Sequence, residues 1–554
     1  MLTSEYIDKR IREIVFPVRI VATYGDVMGA ENLLKHKPLQ ITIAERDCTV
    51  LRNGEDGEDA AVILDFGKER NAALRCLTFK SEGSRYANVH ITLGESVAET
   101  ISSIGKKNAT NDHAIRDFDW ILPSFSDMTT QESGFRFACI RLKGRNTRLL
   151  LKSLVAVGIY EDLEYKGTFR CSDPKLNDIF DTCAYTSHIC IQNYIWDGVK
   201  RDRLVWVGDM HPEVLAIRSV FGQIPAVERS MNFIRDNTPL PNWMNTYPTY
   251  SAWWLIILHD WYQYSGNMGF LEENRSYAIA LMKQLAAHIG DDGSDSLSRY
   301  FLDWPCHDKP AEKDGSRAVI AISMTAAMKL AVIYGEKDLA RLCDQKRKAL
   351  LATQSNSYGA KQAAAMLALA GWYDPHKASR EILENGAKGW STFMSYYLLN
   401  AAAKCDMAAA LQGLKEYYGA MLDLGATSFW EDFDLAWAEK GGRIDQMPQA
   451  DDPDVHGDNG AFCYQGYRHS LCHGWSAAPA AFLLESVAGI QIMAPGCQEM
   501  AIEPNLGDLA WVEATYPTPY GVIKVSHTRQ EDGKIATTVD APKEITIKRG
   551  LDHG

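Results

Sequence analysis

About twelve helix-like segments follow one another between Ser172 and residue 488, and the chain on either side lacks their pattern. Ser172-Asp173-Pro174 supplies a cap and a proline for a first helical turn. Leu176, Ile179, Phe180 and Cys183 then recur at helical spacing. The same spacing predicts helices over His211–Phe221, Pro225–Arg235, Ser251–Tyr264, Asn274–His288 and Arg317–Tyr334. It predicts others over Glu336–Leu351, Ala360–Gly371, His376–Asn385, Ser391–Ala403 and Met407–Tyr418, with a last one from Trp475. Each helix has one apolar stripe to cover, so this many are expected to pair as hairpins around a closed ring. An open solenoid is the alternative, but no motif of fixed length repeats.

The flanks read as strands. Ile41–Leu51, Ala60–Phe66 (ended by Gly67), Tyr86–Leu93, Phe135–Leu142 and Leu149–Val157 are short apolar or alternating runs separated by Gly, Asn, Asp and Ser. They suggest an N-terminal β-sandwich, with Glu55, Asp56, Glu58 and Asp59 in a solvated turn. After residue 488, Gly489–Met493, Met500–Pro504, Gly521–Ser526, Lys534–Val539 and Glu544–Lys548 are strand-like, with Pro517 and Pro519 marking a turn. A β unit that short is expected to pack on the helices rather than hold a core alone. The expected organisation is a β-sandwich over 1–163, a helical domain over 164–488 and a small β-sandwich domain over 489–554. At 554 residues several cores are needed.

The net charge of −13 and the lack of a Lys/Arg-rich block disfavour a nucleic-acid partner, which requires phosphate neutralisation. No run approaches 18 consecutive apolar residues, so no membrane span is expected. The 12 cysteines have no metal-like spacing and read as buried thiols. With no leader recognisable at the start, a cytoplasmic home is expected, or a periplasmic one had a leader been removed. A homodimer is left open.

Chemistry-bearing residues concentrate in Asp197-Gly-Val-Lys-Arg-Asp-Arg-Leu-Val-Trp-Val-Gly-Asp209. Three acids and three cations there adjoin Leu204, Val205 and Trp206. A solvated charge run rarely carries that much apolar area, and a fully buried one cannot keep unpaired carboxylates. A half-buried polar pocket reconciles the two. Asp202 is the candidate proton donor, although Arg201 and Arg203 beside it would lower its pKa; a plain ion pair is the alternative. Glu431, beside Phe429 and Trp430, is a second candidate acid, since burial among aromatics is costly unless the acid is used or paired. Two opposed carboxylates suffice for glycoside hydrolysis. Asp303-Trp304, Tyr250, Trp253-Trp254 and His473-Gly-Trp475 offer rings and polar groups suited to a sugar. Of Trp253 and Trp254, one is expected to face the core and one the pocket. The acidic run Asp451-Asp-Pro-Asp-Val-His-Gly-Asp458 lacks helix-loop-helix calcium spacing, and no phosphate loop, zinc pattern or nucleophile elbow is present. No cofactor or metal is expected.

The run Asp197-x-x-x-Arg201-Asp202-Arg203-x-x-Trp206-x-Gly208-Asp209 resembles a motif of the bacterial α-L-rhamnosidases of glycoside hydrolase family 78. Asp303-Trp304, Ala426-Thr-Ser-Phe-Trp-Glu431 and Ser470-x-x-His473-Gly follow in the family's order. The resemblance covers roughly 165 to 554. It implies an (α/α)6 barrel flanked by β domains that removes terminal α-L-rhamnose with inversion. It places Asp202 as general acid and Glu431 as the base that activates water. Asp197 and Asp209 would hold sugar hydroxyls, and Trp206, Trp304 and His473 would line the pocket. Arg201, Tyr250, Trp254, Asp303 and Trp430 complete the expected substrate-binding set. The family's acid is typically Glu; Asp202 is shorter by one methylene, about 1.5 Å, which the backbone would have to make up. Rival readings are another deoxy sugar or a uronic acid, the latter if Arg201 or Arg203 is free to meet a carboxylate, and a carbohydrate-binding relative without catalysis. An α-helical scaffold for protein partners fits least, since it needs no acids beside tryptophans.

Overall fold

The computed structural model describes residues 8–55, 59–449 and 453–548; Asp56, Glu58, Asp451 and Asp452 lie outside them. The described chain runs as strands to Tyr160, mostly as helices from Pro174 to Val487, and as strands again from Ile490 to Lys548.

The first part is one ten-stranded antiparallel sheet. It is built around two long strands, Ala61–Glu82 and Thr147–Tyr160, which pair from Arg148↔Glu82 to Gly158↔Ala72. Ala61–Glu82 also takes Arg19–Tyr24 and Ser126–Thr129 at its two ends. Val62, Leu64, Phe66, Phe135, Ile140 and Leu149 lie in its buried interior. Two expectations are corrected. Only Thr49–Asn53 of the run over Ile41–Leu51 is paired as an extended strand, and Ile43 is 92% exposed. Gly67 does not end a strand: it sits in a bulge where the register slips between Asp65 and Arg70, and the chain stays extended to Glu82. A strand buried on both faces reads as a continuous apolar run rather than an alternation, so a bulge within it resembles a stop.

In the middle, Val207–Val220 packs on Pro248–Ser265, which packs on Pro310–Ile333. The circuit continues through Lys361–Leu369, Ser395–Ala403 and Pro479–Phe482, and the last of these returns to Val207–Val220. These helices are apolar nearly all round, as enclosed helices must be; all 14 residues of Val207–Val220 are buried. Alternating helices have a single buried stripe. Pro225–Asp236 buries only Ala226, Val227, Ser230, Met231 and Ile234. Pro310–Ile333 is long and apolar enough to cross a membrane by length and mean hydropathy, and 67% of that window is buried inside the protein.

At the end of the chain, Ile490–Ile492, Glu499–Ile502 and Thr546–Lys548 form a three-stranded sheet. A four-stranded sheet joins Trp511–Thr518, Gly521–Arg529 and Ile535–Asp540 to Thr168–Cys171, a strand from before the helices. Val512, Tyr516 and Ile523 share one buried core with the helices, so this unit does pack on them. Pro517 lies inside a strand, paired with Val522, and the turn falls at Pro519 and Tyr520.

Candidate active site

The segment 191–206 links Pro174–Cys190 to Val207–Val220 and folds back on itself. Asp197 closes it: its backbone N–H donates to the Leu204 carbonyl at 3.1 Å, and its Oδ1 accepts from the Leu204 N–H at 2.8 Å. Gly198 bridges to His473, and the Gly474 N–H donates to the Asp197 carbonyl at 2.7 Å. Asp202 and Arg203 both have left-handed backbones, with φ 57° and 56°. Such conformations cost about 1–3 kcal/mol each in non-glycine residues and persist where surrounding contacts impose them. Here they aim the short Asp202 side chain into the hollow and Arg203 away from it.

Arg201 ties the two candidate acids together. Its Nη1 donates to Asp202 Oδ1 at 2.7 Å, its Nη2 donates to Glu431 Oε1, and its Nε donates to the Arg468 carbonyl at 3.2 Å. Asp202 Oδ2 accepts from the Trp206 indole N–H at 3.1 Å. Glu431 Oε2 accepts from the Ser470 N–H at 3.1 Å, while the Glu431 N–H donates to the Ser470 carbonyl at 3.0 Å. His473 Nε2 lies 3.4 Å from Glu431, 3.5 Å from Asp197 and 4.0 Å from Asp209. Asp209, in the first turn of Val207–Val220, accepts from the Tyr250 hydroxyl at 3.2 Å. Gly208 permits this: a Cβ there would come within 2.4 Å of the Tyr250 ring.

These groups line a hollow of about 320 Å³ together with Trp304, Tyr247, Phe301, Tyr464 and Trp475. The Trp304 indole N–H donates to the Tyr464 hydroxyl, and His473 lies against Trp475 with ring centres 4.2 Å apart. Burial raises the pKa of Asp197 against its hydrogen bond from His473. Burial raises Asp209 well above the carboxylate range, reinforced by the Asp197 charge. His473 is pulled down by burial, yet the Asp197 hydrogen bond and the Glu431 charge outweigh that and raise it.

Of the expected site residues, Asp202, Glu431, Asp197, Arg201, Trp206, Asp209, Tyr250, Trp304 and His473 converge on this hollow. Three do not line it. Trp254 is fully buried, with its indole N–H on the Met231 carbonyl and its ring against Tyr277; it belongs to the helix core. Trp430 packs on Phe433 and His469 behind Glu431. Asp303 accepts from the Trp304 N–H and the Ser391 hydroxyl, so it anchors the turn that presents Trp304. His113 was missed: it comes from the N-terminal sheet unit, in a polar turn with no sequence signal, and its Nε2 lies 3.6 Å from Asp202 Oδ1. Tyr464, in a loop after Gly460, gave no pattern either.

The N-terminal unit also holds the loop from behind. Buried Lys200 lies 3.0 Å from both Glu95 and Glu99 and donates to the His469 carbonyl at 2.7 Å. Glu95 accepts from the Ser470 hydroxyl at 2.9 Å and the Leu471 N–H at 2.6 Å, next to the Ser470 that holds Glu431. A Cβ on Gly134 would meet the Lys200 backbone at 2.6 Å, so sheet and loop touch directly. Glu95, Glu99 and His456 bring three potential metal-ligand atoms within 4.8 Å of one another, but the Lys200 ammonium already balances the carboxylates.

A ring of helices, flanked by sheets, opens onto a hollow lined by acids and aromatic rings. Residues 164–487 match the bacterial alpha-L-rhamnosidase 6 hairpin glycosidase domain, and 489–549 match the bacterial alpha-L-rhamnosidase C-terminal domain. The chain belongs to the bacterial α-L-rhamnosidases of glycoside hydrolase family 78. It is 24% identical to an alpha-L-rhamnosidase of Alteromonas sp. (strain LOR) over 472 residues, 75% of this chain and 48% of that one. The chain thus spans about half the length of the curated relative it matches. The crystal structure of the GH78 family rhamnosidase of Bacillus sp. GL1 superimposes with a TM-score of 0.77 at 21% identity, covering 95% of this chain and 56% of that one. A Klebsiella oxytoca rhamnosidase with rhamnose bound gives 0.66 at 21% identity, covering 86% and 96%. The fold is that of these rhamnosidases: an N-terminal sheet unit, a helical middle and C-terminal sheets.

Proposed function

We propose that this chain is an inverting exo-α-L-rhamnosidase that acts on glycosides or oligosaccharides ending in α-L-rhamnose. The observation that carries the reading is the joining of Asp202 and Glu431 through one guanidinium, Arg201, in a single sugar-sized hollow. Asp202 donates its proton to the glycosidic oxygen. Glu431 takes a proton from water, which attacks the opposite face of the anomeric carbon. An inverting pair lies about 6.5–9.5 Å apart, a retaining pair about 5–5.5 Å. Asp197, Asp209 and His473 hold ring hydroxyls, and Trp206 and Trp304 border the sugar. The helical part is read as an (α/α)6 barrel, supported by its inner circuit of six helices. The Klebsiella oxytoca relative solved with rhamnose bound supports a rhamnosyl substrate. A terminal uronic acid is disfavoured because every guanidinium nitrogen of Arg201 is engaged.

The test is hydrolysis of nitrophenyl α-L-rhamnoside, with the first-formed anomer followed by proton NMR. Asp202→Asn and Glu431→Gln should each cut turnover by about 10² or more while unfolding stays cooperative. The β anomer should appear first. Wild-type turnover in either variant removes that residue from the mechanism, and initial α anomer removes inversion.

A further inference from the structure

A larger cavity, of about 1270 Å³, adjoins the hollow, and His113 lines both. It exceeds the roughly 300–1,000 Å³ of an ordinary small-molecule site. In the proposed reaction Asp202 protonates the oxygen that leaves with the rest of the substrate, so the leaving group lies on the Asp202 side of the sugar. That side leads past His113 and Arg203 into this cavity. We propose that the cavity is a subsite for an acidic leaving group, a carboxylate-bearing sugar held by Arg12 with Arg203 and His113 beside it. The proposal rests on the hydrolase reading above.

The walls carry Arg10, Arg12, Arg75 and Arg203 against one acid, Glu132, in a chain whose net charge is −13. Their guanidinium groups are not equally occupied. Arg10 is saturated by Asp8, Glu132 and Gln192, and Arg75 is held through Nε and Nη2 by both oxygens of Asp127. Arg203 Nη1 bonds the Glu132 carbonyl, but Nη2 has only 3.5 Å contacts, to Glu132 and Asn71. Among the described residues Arg12 has a single ion-pair contact, to Asp8 at 3.7 Å, with its side chain 54% exposed. A planar fork with free donors is the group that recognises a carboxylate in two-point fashion. Between the arginines run Ile14, Val157 and Ile159, an apolar wall for a pyranose face, and the Trp196 ring carries the Arg203 guanidinium at 4.5 Å. The uronic-acid preference that an unengaged arginine implies therefore belongs beyond the scissile bond, not at the terminal sugar.

The experiment compares two matched substrates, an α-L-rhamnosyl uronic acid and its carboxyl-reduced counterpart, with the full chain. Wild-type kcat/KM should be about tenfold higher or more for the acid, as expected for a charge-assisted hydrogen bond, and the ratio should shrink as salt rises. Arg12→Gln should bring the ratio near one. Equal kcat/KM for both substrates overturns the subsite and leaves the hydrolase reading standing. If neither substrate is cleaved, the hydrolase reading fails, and calorimetry with a uronic acid disaccharide decides the subsite. Binding weakened about tenfold by Arg12→Gln supports it; no binding, or binding the variant does not weaken, overturns it.

Discussion

Asp303 gives the sharpest test of how the hollow is held, because its effect on stability has a definite sign. It is 2% exposed, and burial pushes its carboxyl up to about 7 despite the hydrogen bond from Ser391. In an unfolded chain the same group titrates near about 3.9. The native state therefore holds a proton more tightly than the unfolded state. That contribution to stability is fully present below pH ~4 and is lost as pH rises to about 7. A difference of about three units, at about 1.36 kcal/mol each, sets an upper limit of about 4 kcal/mol. Asp303→Asn keeps the shape: Oδ1 still accepts from the Trp304 N–H, and the Ser391 hydroxyl turns from donor to acceptor so that the new Nδ2 donates to it, as the protonated carboxyl would. The variant should match the wild type near pH 4 and gain steadily towards pH 8, by up to about 4 kcal/mol. Urea unfolding, followed by tryptophan fluorescence at half-unit pH steps, measures the difference directly. Parallel stability curves for the two proteins would refute the argument. So would a gain confined to low pH.

Other outcomes follow from the same contacts. Arg201→Met leaves Glu431 buried without its main partner and should cost about 3–5 kcal/mol in unfolding free energy, besides activity. Gly208→Ala drives a methyl group into the Tyr250 ring and should destabilise by about 1–3 kcal/mol, with KM raised as Tyr250 leaves Asp209. Trp254→Phe should lower the thermal midpoint while leaving KM unchanged, because that indole faces Tyr277 and not the hollow. A KM change of severalfold would return Trp254 to the site. Lys200→Met should destabilise by about 3–5 kcal/mol, since Glu95 loses its cation in a buried setting. Glu69→Gln should gain stability relative to the wild type as pH rises, because burial, with the Glu95 charge, holds that acid well above the carboxylate range.

How far the sequence could be read follows from how local each signal is. Helical spacing located the helices to within a turn at most ends, best where one face is buried: Pro225–Asp236 was expected to end one residue earlier, whereas the enclosed Pro310–Ile333 was expected only from Arg317. Asp197, Arg201, Asp202, Trp206 and Asp209 were legible because one loop and one helix start carry them all. Pairing Asp202 with Glu431, 229 positions away, needed the family resemblance, since spacing says nothing about which loop closes on which. Adjacent aromatics misled in both cases. Trp430 sits next to Glu431 in sequence, but neighbouring side chains point in different directions; Trp254 faces Tyr277, and its neighbour Trp253 packs on His211 and Tyr397, so neither of that pair reaches the hollow.

What stayed hidden was the contribution of the N-terminal sheet unit, and the reason is physical. Nothing in a local window around Glu95 and Glu99 reveals that Lys200 will be sealed against them. Yet Glu95 fastens the Ser470–Leu471 backbone, and the Ser470 N–H fastens Glu431. His113 touches Asp202 from the same unit. The hollow is therefore completed from two sides: the helical ring supplies the acids, and the sheet unit fixes the backbone they stand on. Removing the sheet would strip Lys200 of both carboxylates and expose the Gly134 contact surface of the catalytic loop, so a helical domain cut free at residue 164 should lose the registered Asp202–Arg201–Glu431 bridge even if its helices still form. Circular dichroism and rhamnoside hydrolysis on that fragment separate the two effects. Helical signal with wild-type turnover would show that the sheet unit is dispensable for the site.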